Sequence, residues 1–246
     1  MQIYQADFAG HTIRYAFLYP RTREYFRSWL TPASGDSYDV MVTSELVHKI
    51  HQMQPENRSL DYAEYKALIT PTSKVLLRSG CCIFHAVAFL WNGFAWLLTA
   101  PSGTGKSTQF LNWRRMHPGE IEMICGDMPI LEQRCNGSLW VHPSCWTGKE
   151  NIGSFSSAPL RGIVLLEQGR KNNIRLMTAR EAIPPLIGQF CCDLETEEEI
   201  RTVCGLLDAM LRNHPVWKFV NLGDDASTEL LRHSIAGRTG DENGTV

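Results

Sequence analysis

No stretch limits the fold of this chain more than Thr99-Ala100-Pro101-Ser102-Gly103-Thr104-Gly105-Lys106-Ser107-Thr108. Phe94 to Thr99 is an apolar run that reads as a buried strand, and Ser107 to Met116 reads as a helix closed by Pro118-Gly119. A glycine-rich turn between a strand and a helix is the setting in which successive backbone N–H groups curl toward a phosphate. Gly103 and Gly105 permit that curl, and the helix that follows offers its unsatisfied first N–H groups to the same anion. Lys106 supplies a point charge, and the Ser107 hydroxyl is a candidate Mg²⁺ ligand. The G-x-x-x-x-G-K-[ST] pattern lacks only its first glycine, replaced by Ala100. Ser102, Gly103, Thr104, Gly105, Lys106, Ser107 and Thr108 are therefore the expected nucleotide-binding residues.

Composition narrows the partners. The 24 Lys and Arg balance 26 Asp and Glu, and the basic pairs Arg114-Arg115 and Arg170-Lys171 stand alone, so no nucleic-acid-binding stripe is present. Gly80 to Ala100 has 21 residues without a formal charge, the length of a membrane span. His85, Asn92 and Gly93 speak against that reading, because Asn-Gly is a hairpin signal and two strands explain the same residues. Neither a membrane span nor a signal peptide is expected. The eight cysteines show no C-x-x-C spacing, and several lie in apolar runs. They read as reduced buried thiols of a cytoplasmic protein without a zinc site.

Taken in order, residues 1–75 read as a small N-terminal α/β annex suited to partner or substrate docking. Its expected strands are Ile3 to Phe8, Thr12 to Leu18 and Tyr38 to Val42, and its helices Glu24 to Leu30, Ser44 to Ile50 and Tyr62 to Leu68. Residues 76–236 form the expected core. Strands are expected over Cys82 to Trp91, Phe94 to Thr99, Ile121 to Cys125, Met128 to Gln133, Leu139 to His142, Leu160 to Glu167 and Val216 to Leu222. Capping boxes at Thr178-x-x-Glu181 and Thr196-x-x-Glu199 open two helices, the first disturbed by Pro184-Pro185, and Ser227 to Ser234 forms a last helix. Residues 237–246, polar and glycine-rich, read as a disordered tail.

Two further positions carry chemistry. Asp127 ends the strand from Ile121, 20 residues beyond Ser107, where a phosphate-loop protein places its magnesium-handling acid. The loop Trp146-Thr147-Gly148-Lys149-Glu150 offers Lys149 as a second cation for the phosphoryl group or an acidic substrate.

The combination resembles the HPr kinase/phosphorylase family and its phosphoenolpyruvate carboxykinase-like fold. The residues that carry the resemblance are His85, the hairpin around Asn92-Gly93, the loop Ser102 to Ser107 and Gly126-Asp127. The offset from His85 to Ser102-Gly103 matches the HPr kinase pattern without a gap. With Trp146-Thr147-Gly148-Lys149 the chain is similar to a subgroup of short HPr kinase-like proteins that phosphorylate serine hydroxyls in proteins, in peptides or in free serine. The resemblance implies an α/β fold with a P-loop core on a mixed sheet. It also implies an ATP-dependent and Mg²⁺-dependent kinase with Asp127, His85, Lys106 and Lys149 as catalytic residues, and Ser107 and Asp127 on the metal. HPr kinases have two adjacent aspartates where this chain has Gly126-Asp127, so either Asp127 or His85 is left to take the acceptor's proton. No segment matches the family's HPr-docking region. The expected partner is a serine-containing peptide, protein or small molecule, and a homo-oligomer is compatible with the sequence. Two other readings remain open: a nucleotide-gated assembly module with weak ATPase activity in a peptide-modification pathway, and a scaffold with a vestigial phosphate loop.

Overall fold

A computed structural model describes residues 2–54 and 58–236, so the expected tail at 237–246 lies outside the described residues. β1 (Ile3–Phe8) and β2 (His11–Ala16) form a hairpin whose turn residues Ala9 and Gly10 both have positive φ, the geometry that matches strand twist. β3 (Thr31–Pro32) pairs with the other edge of β1. The expected helix over Glu24 to Leu30 is instead α1 (Thr22–Phe26) followed by a short turn of 3-10 helix, Arg27–Trp29. Arg27, at φ 54° and ψ −128°, ends the α-helix there. The strand expected over Tyr38 to Val42 is reduced to one bridge, Val40 to Tyr15.

α2 (Ser44–Gln52) is capped by Thr43 and α3 (Leu60–Ala67) by Ser59. α4 (Ile69–Leu77) was not anticipated, because Pro71 reads as a stop; it falls in the first turn, where no intrahelical N–H partner is needed. α4 runs through residue 75, where the annex boundary was expected. Annex and core also share a cluster in which Phe8, Phe26, Val47 and Tyr65 pack with Ile83, Ile130, Cys145 and Trp146.

The strand expected from Cys82 to Trp91 is two strands, β4 (Cys81–Ile83) and β5 (Val87–Trp91). Each serves a different part of the sheet. β5 lies between β6 (Phe94–Thr99) and β7 (Ile121–Cys125), while β4 pairs with β8 (Ile130–Gln133) and so joins the β8–β9 hairpin, β9 being Leu139–His142. The break between them falls at Phe84, His85 and Ala86.

The long strand β10 (Ala158–Gln168) ties the two parts together. Its first residues pair with β9, and its body runs parallel to β6 on one side and to β12 (Val216–Asn221) on the other. β11 (Asn173–Leu176), not foreseen, adds antiparallel to β12. The result is a mixed sheet in the order β11-β12-β10-β6-β5-β7, with β9, β8 and β4 continuing from the start of β10. Successive residues of the strands face opposite layers. Val87, Phe89, Leu98 and Val164 meet Phe110, Trp113, Leu231 and Ile235 of α5 (Lys106–Met116) and α8 (Asp225–Ala236). Ala88, Leu97 and Ile163 meet Leu186, Leu206 and Met210 of α6 (Ala179–Ile187) and α7 (Glu197–Asn213). This is an α/β arrangement with both sheet faces covered. Both capping boxes are made, and Pro184 and Pro185 lie inside α6 rather than ending it.

Among the described residues no helix is long and apolar enough to cross a membrane. The eight cysteines are all free.

At the end of α7, burial pushes the His214 imidazole down to about 4 from its usual 6.5, and its Nε2 is buried without a hydrogen-bond partner. The folded state therefore binds fewer protons than the unfolded chain below the unfolded value. The stability that depends on this neutral ring is present above about pH 6.5 and is lost as the pH falls toward 4. Thermal midpoints measured from pH 7.5 to 4.5 should fall, and His214→Gln should flatten part of that slope. His142 and His85, held down by burial in the same sense, contribute to the rest, and the hydrogen-bonded Glu181 carboxyl joins them toward the acid end.

Candidate functional site

The loop between β6 and α5 turns twice through positive φ, at Gly103 (81°) and Gly105 (102°). No side chain caps α5, so its first N–H groups are left to the cleft in front of it. That cleft has a volume of about 390 Å³. Ser102, Gly103, Gly105, Lys106, Ser107 and Thr108 line it from the loop and helix, and His85, Asp127 and Lys149 line it from three other segments. Thr104 borders the neighbouring hollow instead, with its hydroxyl donating to Pro101 O at 2.8 Å.

Lys106 is 8% exposed. Its Nζ donates to Ala100 O at 2.8 Å and to His85 Nε2 at 3.2 Å, with Pro101 O at 3.4 Å. Burial lowers its pKa, and the nearby Asp127 carboxylate opposes that shift. An ammonium in such a place lacks most of its hydration and is poised for an anion with better acceptors than carbonyls.

His85 sits in the break between β4 and β5, and neighbouring segments grip its backbone. Its N–H donates to Gln189 O at 2.8 Å, and its carbonyl accepts from Thr99 Oγ1 at 2.9 Å. The side chain is fixed as well. Gln189 donates its amide Nε2 to Pro185 O at 3.2 Å, which turns Oε1 toward His85 Nδ1 at 3.0 Å. Nδ1 therefore carries the proton and Nε2 presents its lone pair to Lys106. Burial, and next the Lys106 charge, lower the ring's pKa, so it is neutral near pH 7.

Asp127 follows β7. Its carbonyl accepts from Ala86 N at 2.9 Å, so the break that carries His85 also fixes Asp127. Asp127 Oδ1 lies 3.5 Å from His85 Nε2, and Oδ2 lies 3.3 Å from Lys66 Nζ. Gly126 has no space for a side chain: a Cβ there would lie 2.4 Å from Thr147 O and 3.2 Å from Ile152 O. The backbone thus leaves room for a single carboxylate at this strand end. Gly148, at φ 75°, brings the following loop to within 3.1 Å of Asp127 Cβ, measured from an ideal Cβ on the glycine.

In that loop Lys149 is exposed and borders the cleft. Trp146, read from the sequence as part of a binding loop, anchors that loop and also borders a hollow beside the cleft. It is 1% exposed, packs among Phe8, Phe26 and Tyr65, and donates Nε1–H to Tyr65 O at 2.9 Å. Tyr65 OH returns a bond to Cys145 O at 2.7 Å.

Sequence reasoning missed Lys66 and Gln189. Gln189 fixes the imidazole from 104 positions away and Lys66 pairs with an acid 61 positions away. No local pattern signals either. The i,i+4 spacing of Tyr62 and Lys66, both on the cleft wall, was the one available hint.

Sheet, loop and helix are consistent with an α/β nucleotide-binding fold. No family model matches the sequence, and no curated protein matches it either. Among solved structures, the HPr(Ser) kinase/phosphatase from Coxiella burnetii aligns over 64% of this chain and 99% of its own, at a TM-score of 0.37 and 14% identity.

Proposed function

We propose that the chain is an HPr kinase-like P-loop kinase that moves the γ-phosphoryl of ATP to a hydroxyl, that of serine in a peptide, a protein or the free amino acid. The single observation that carries this is the cluster in which Lys106, His85 and Asp127 meet beside the open N-terminus of α5. Phosphoryl transfer needs little more than positioning and charge stabilisation, and this cluster offers both.

The loop N–H groups from Gly103 to Lys106 hold the phosphates, and Lys106 exchanges carbonyl oxygens for phosphate oxygens. His85, neutral and held by Gln189, keeps the Lys106 ammonium in place. The acceptor oxygen bonds to the γ-phosphorus as the bond to the β,γ-bridging oxygen breaks, ADP leaves, and the hydroxyl proton passes to the Asp127 carboxylate. Asp127 suits this role better than His85, whose Nε2 already accepts from Lys106.

Ser107 and Asp127 are the residues that would hold Mg²⁺. The donor set fits, because that ion takes one or two protein oxygens and completes its shell with phosphates and water. Among the described residues no group of three or more His, Cys, Asp or Glu forms a cage of its own. When bound, Mg²⁺ supplies charge neutralisation across the β- and γ-phosphates.

The test is phosphate transfer from labelled ATP to serine acceptors. Asp127→Asn should lower transfer about a thousandfold, with ATP binding largely retained because the loop is untouched. Transfer at the wild-type rate by that variant would remove Asp127 from the mechanism. A second reading, a nucleotide-gated assembly module, is favoured by the single carboxylate that Gly126 imposes. Tight ATP binding without transfer to any acceptor would select it.

A further inference from the structure

A second cleft of about 300 Å³ adjoins the first along Tyr62, Lys66, Asp127, Gly148 and Lys149, and contains none of the phosphate-loop residues. Its walls are strongly cationic. Arg27 and Arg58 from the annex join Lys66 and Lys149, four cations facing one carboxylate, Asp127, which Lys66 already pairs at 3.3 Å. Arg27, Arg58 and Lys149 have no acidic partner among the described residues. The chain as a whole carries a net charge of −2, so this concentration does not follow from general basicity.

The Arg58 guanidinium is held against an aromatic ring, and the Arg27 backbone is set in an unusual conformation. The Arg58 guanidinium lies over the Tyr62 ring at 4.7 Å, Tyr62 meets Tyr25 edge-on at 5.4 Å, and the Arg58 carbonyl accepts from His51 Nε2 at 2.7 Å. Arg27 occupies φ 54° and ψ −128°, a conformation that L residues seldom adopt. Strain of this kind persists where the surroundings impose it and gathers at ligand clamps. Guanidinium groups recognise carboxylate and phosphate by paired N–H donors.

We infer that this cleft seats the acceptor by an oxyanion: the substrate is a hydroxyl compound bearing a carboxylate or phosphate group, held at Arg27 and Arg58 with its hydroxyl beside Asp127. The inference rests on the phosphoryl-transfer reading and gives its acceptor a chemical class. An oxyanion in the cleft matches the surplus cations, and the junction at Asp127 and Lys149 sets the hydroxyl in front of the phosphate loop.

The test uses the full chain, saturated with β,γ-imido-ATP, and two matched pairs of probes read by ligand-observed NMR. L-serine against L-serinamide isolates a carboxylate, and glycerol 3-phosphate against glycerol isolates a phosphate. In at least one pair the anionic member should bind about tenfold or more tightly, as charged hydrogen bonds in a cleft require. The double variant Arg27→Gln with Arg58→Gln should erase that preference without changing the circular dichroism, and the Lys versions should keep part of it. No preference in either pair, or a preference that survives in the double Gln variant, overturns the inference. Titration of β,γ-imido-ATP alone separates the two failures. Absence of nucleotide binding defeats the kinase reading, whereas nucleotide binding without anion preference defeats only the acceptor class.

Discussion

Lys106→Ala should abolish phosphoryl transfer, by at least about a thousandfold, and leave the thermal midpoint unchanged or slightly higher. The two expectations share one cause. Lys106 is a buried ammonium whose pKa burial has lowered, so the free protein holds the charge at a cost that a bound phosphate would relieve. Its removal leaves Ala100 O and His85 Nε2 without their donor, a modest penalty set against the relief of desolvation. A structural lysine would behave in the opposite way, with stability lost and turnover reduced only in proportion. Transfer assays and calorimetric melting of the same preparation distinguish the two.

Gly126→Ala should cost about 3 kcal/mol or more of stability and remove activity in whatever folds. The added methyl would meet the backbone oxygens of Thr147 and Ile152, which cannot rotate aside as side chains do, so the loop from Thr147 to Ile152 has to move. That loop holds Gly148 against Asp127 and carries Lys149, so the displacement reaches the cleft. Gly126→Asp, which would set two aspartates side by side at this strand end, should fail for the same reason. Urea denaturation measures the loss, and a variant as stable as the wild type would show that the loop yields.

The phosphate loop was legible because its chemistry is local: glycine conformations, a lysine and a hydroxyl all lie within a few residues of each other. The strands flanking it were legible from apolar runs and from Asn92-Gly93. What the sequence concealed was tertiary. The stretch from Cys82 to Trp91, apolar apart from His85, gives no clear sign that the chain leaves one part of the sheet at Phe84 and enters another at Val87. That departure is what lets His85 turn to Lys106 and Asp127. Pro71 misled in the other direction, since a proline tolerated in a first turn looks identical in sequence to one that ends a helix.

The reciprocal bonds between Tyr65 and the Cys145–Trp146 backbone and indole sit one residue from Lys66 on α3 and one residue from Thr147 in the loop. The N-terminal third is consequently built into the site and not merely attached beside it. It delivers the counter-charge of the acid in the cleft, and it supplies the socket in which Trp146 is seated. Without α3 the phosphate loop and Asp127 would be the parts of a site with nothing to keep them in register.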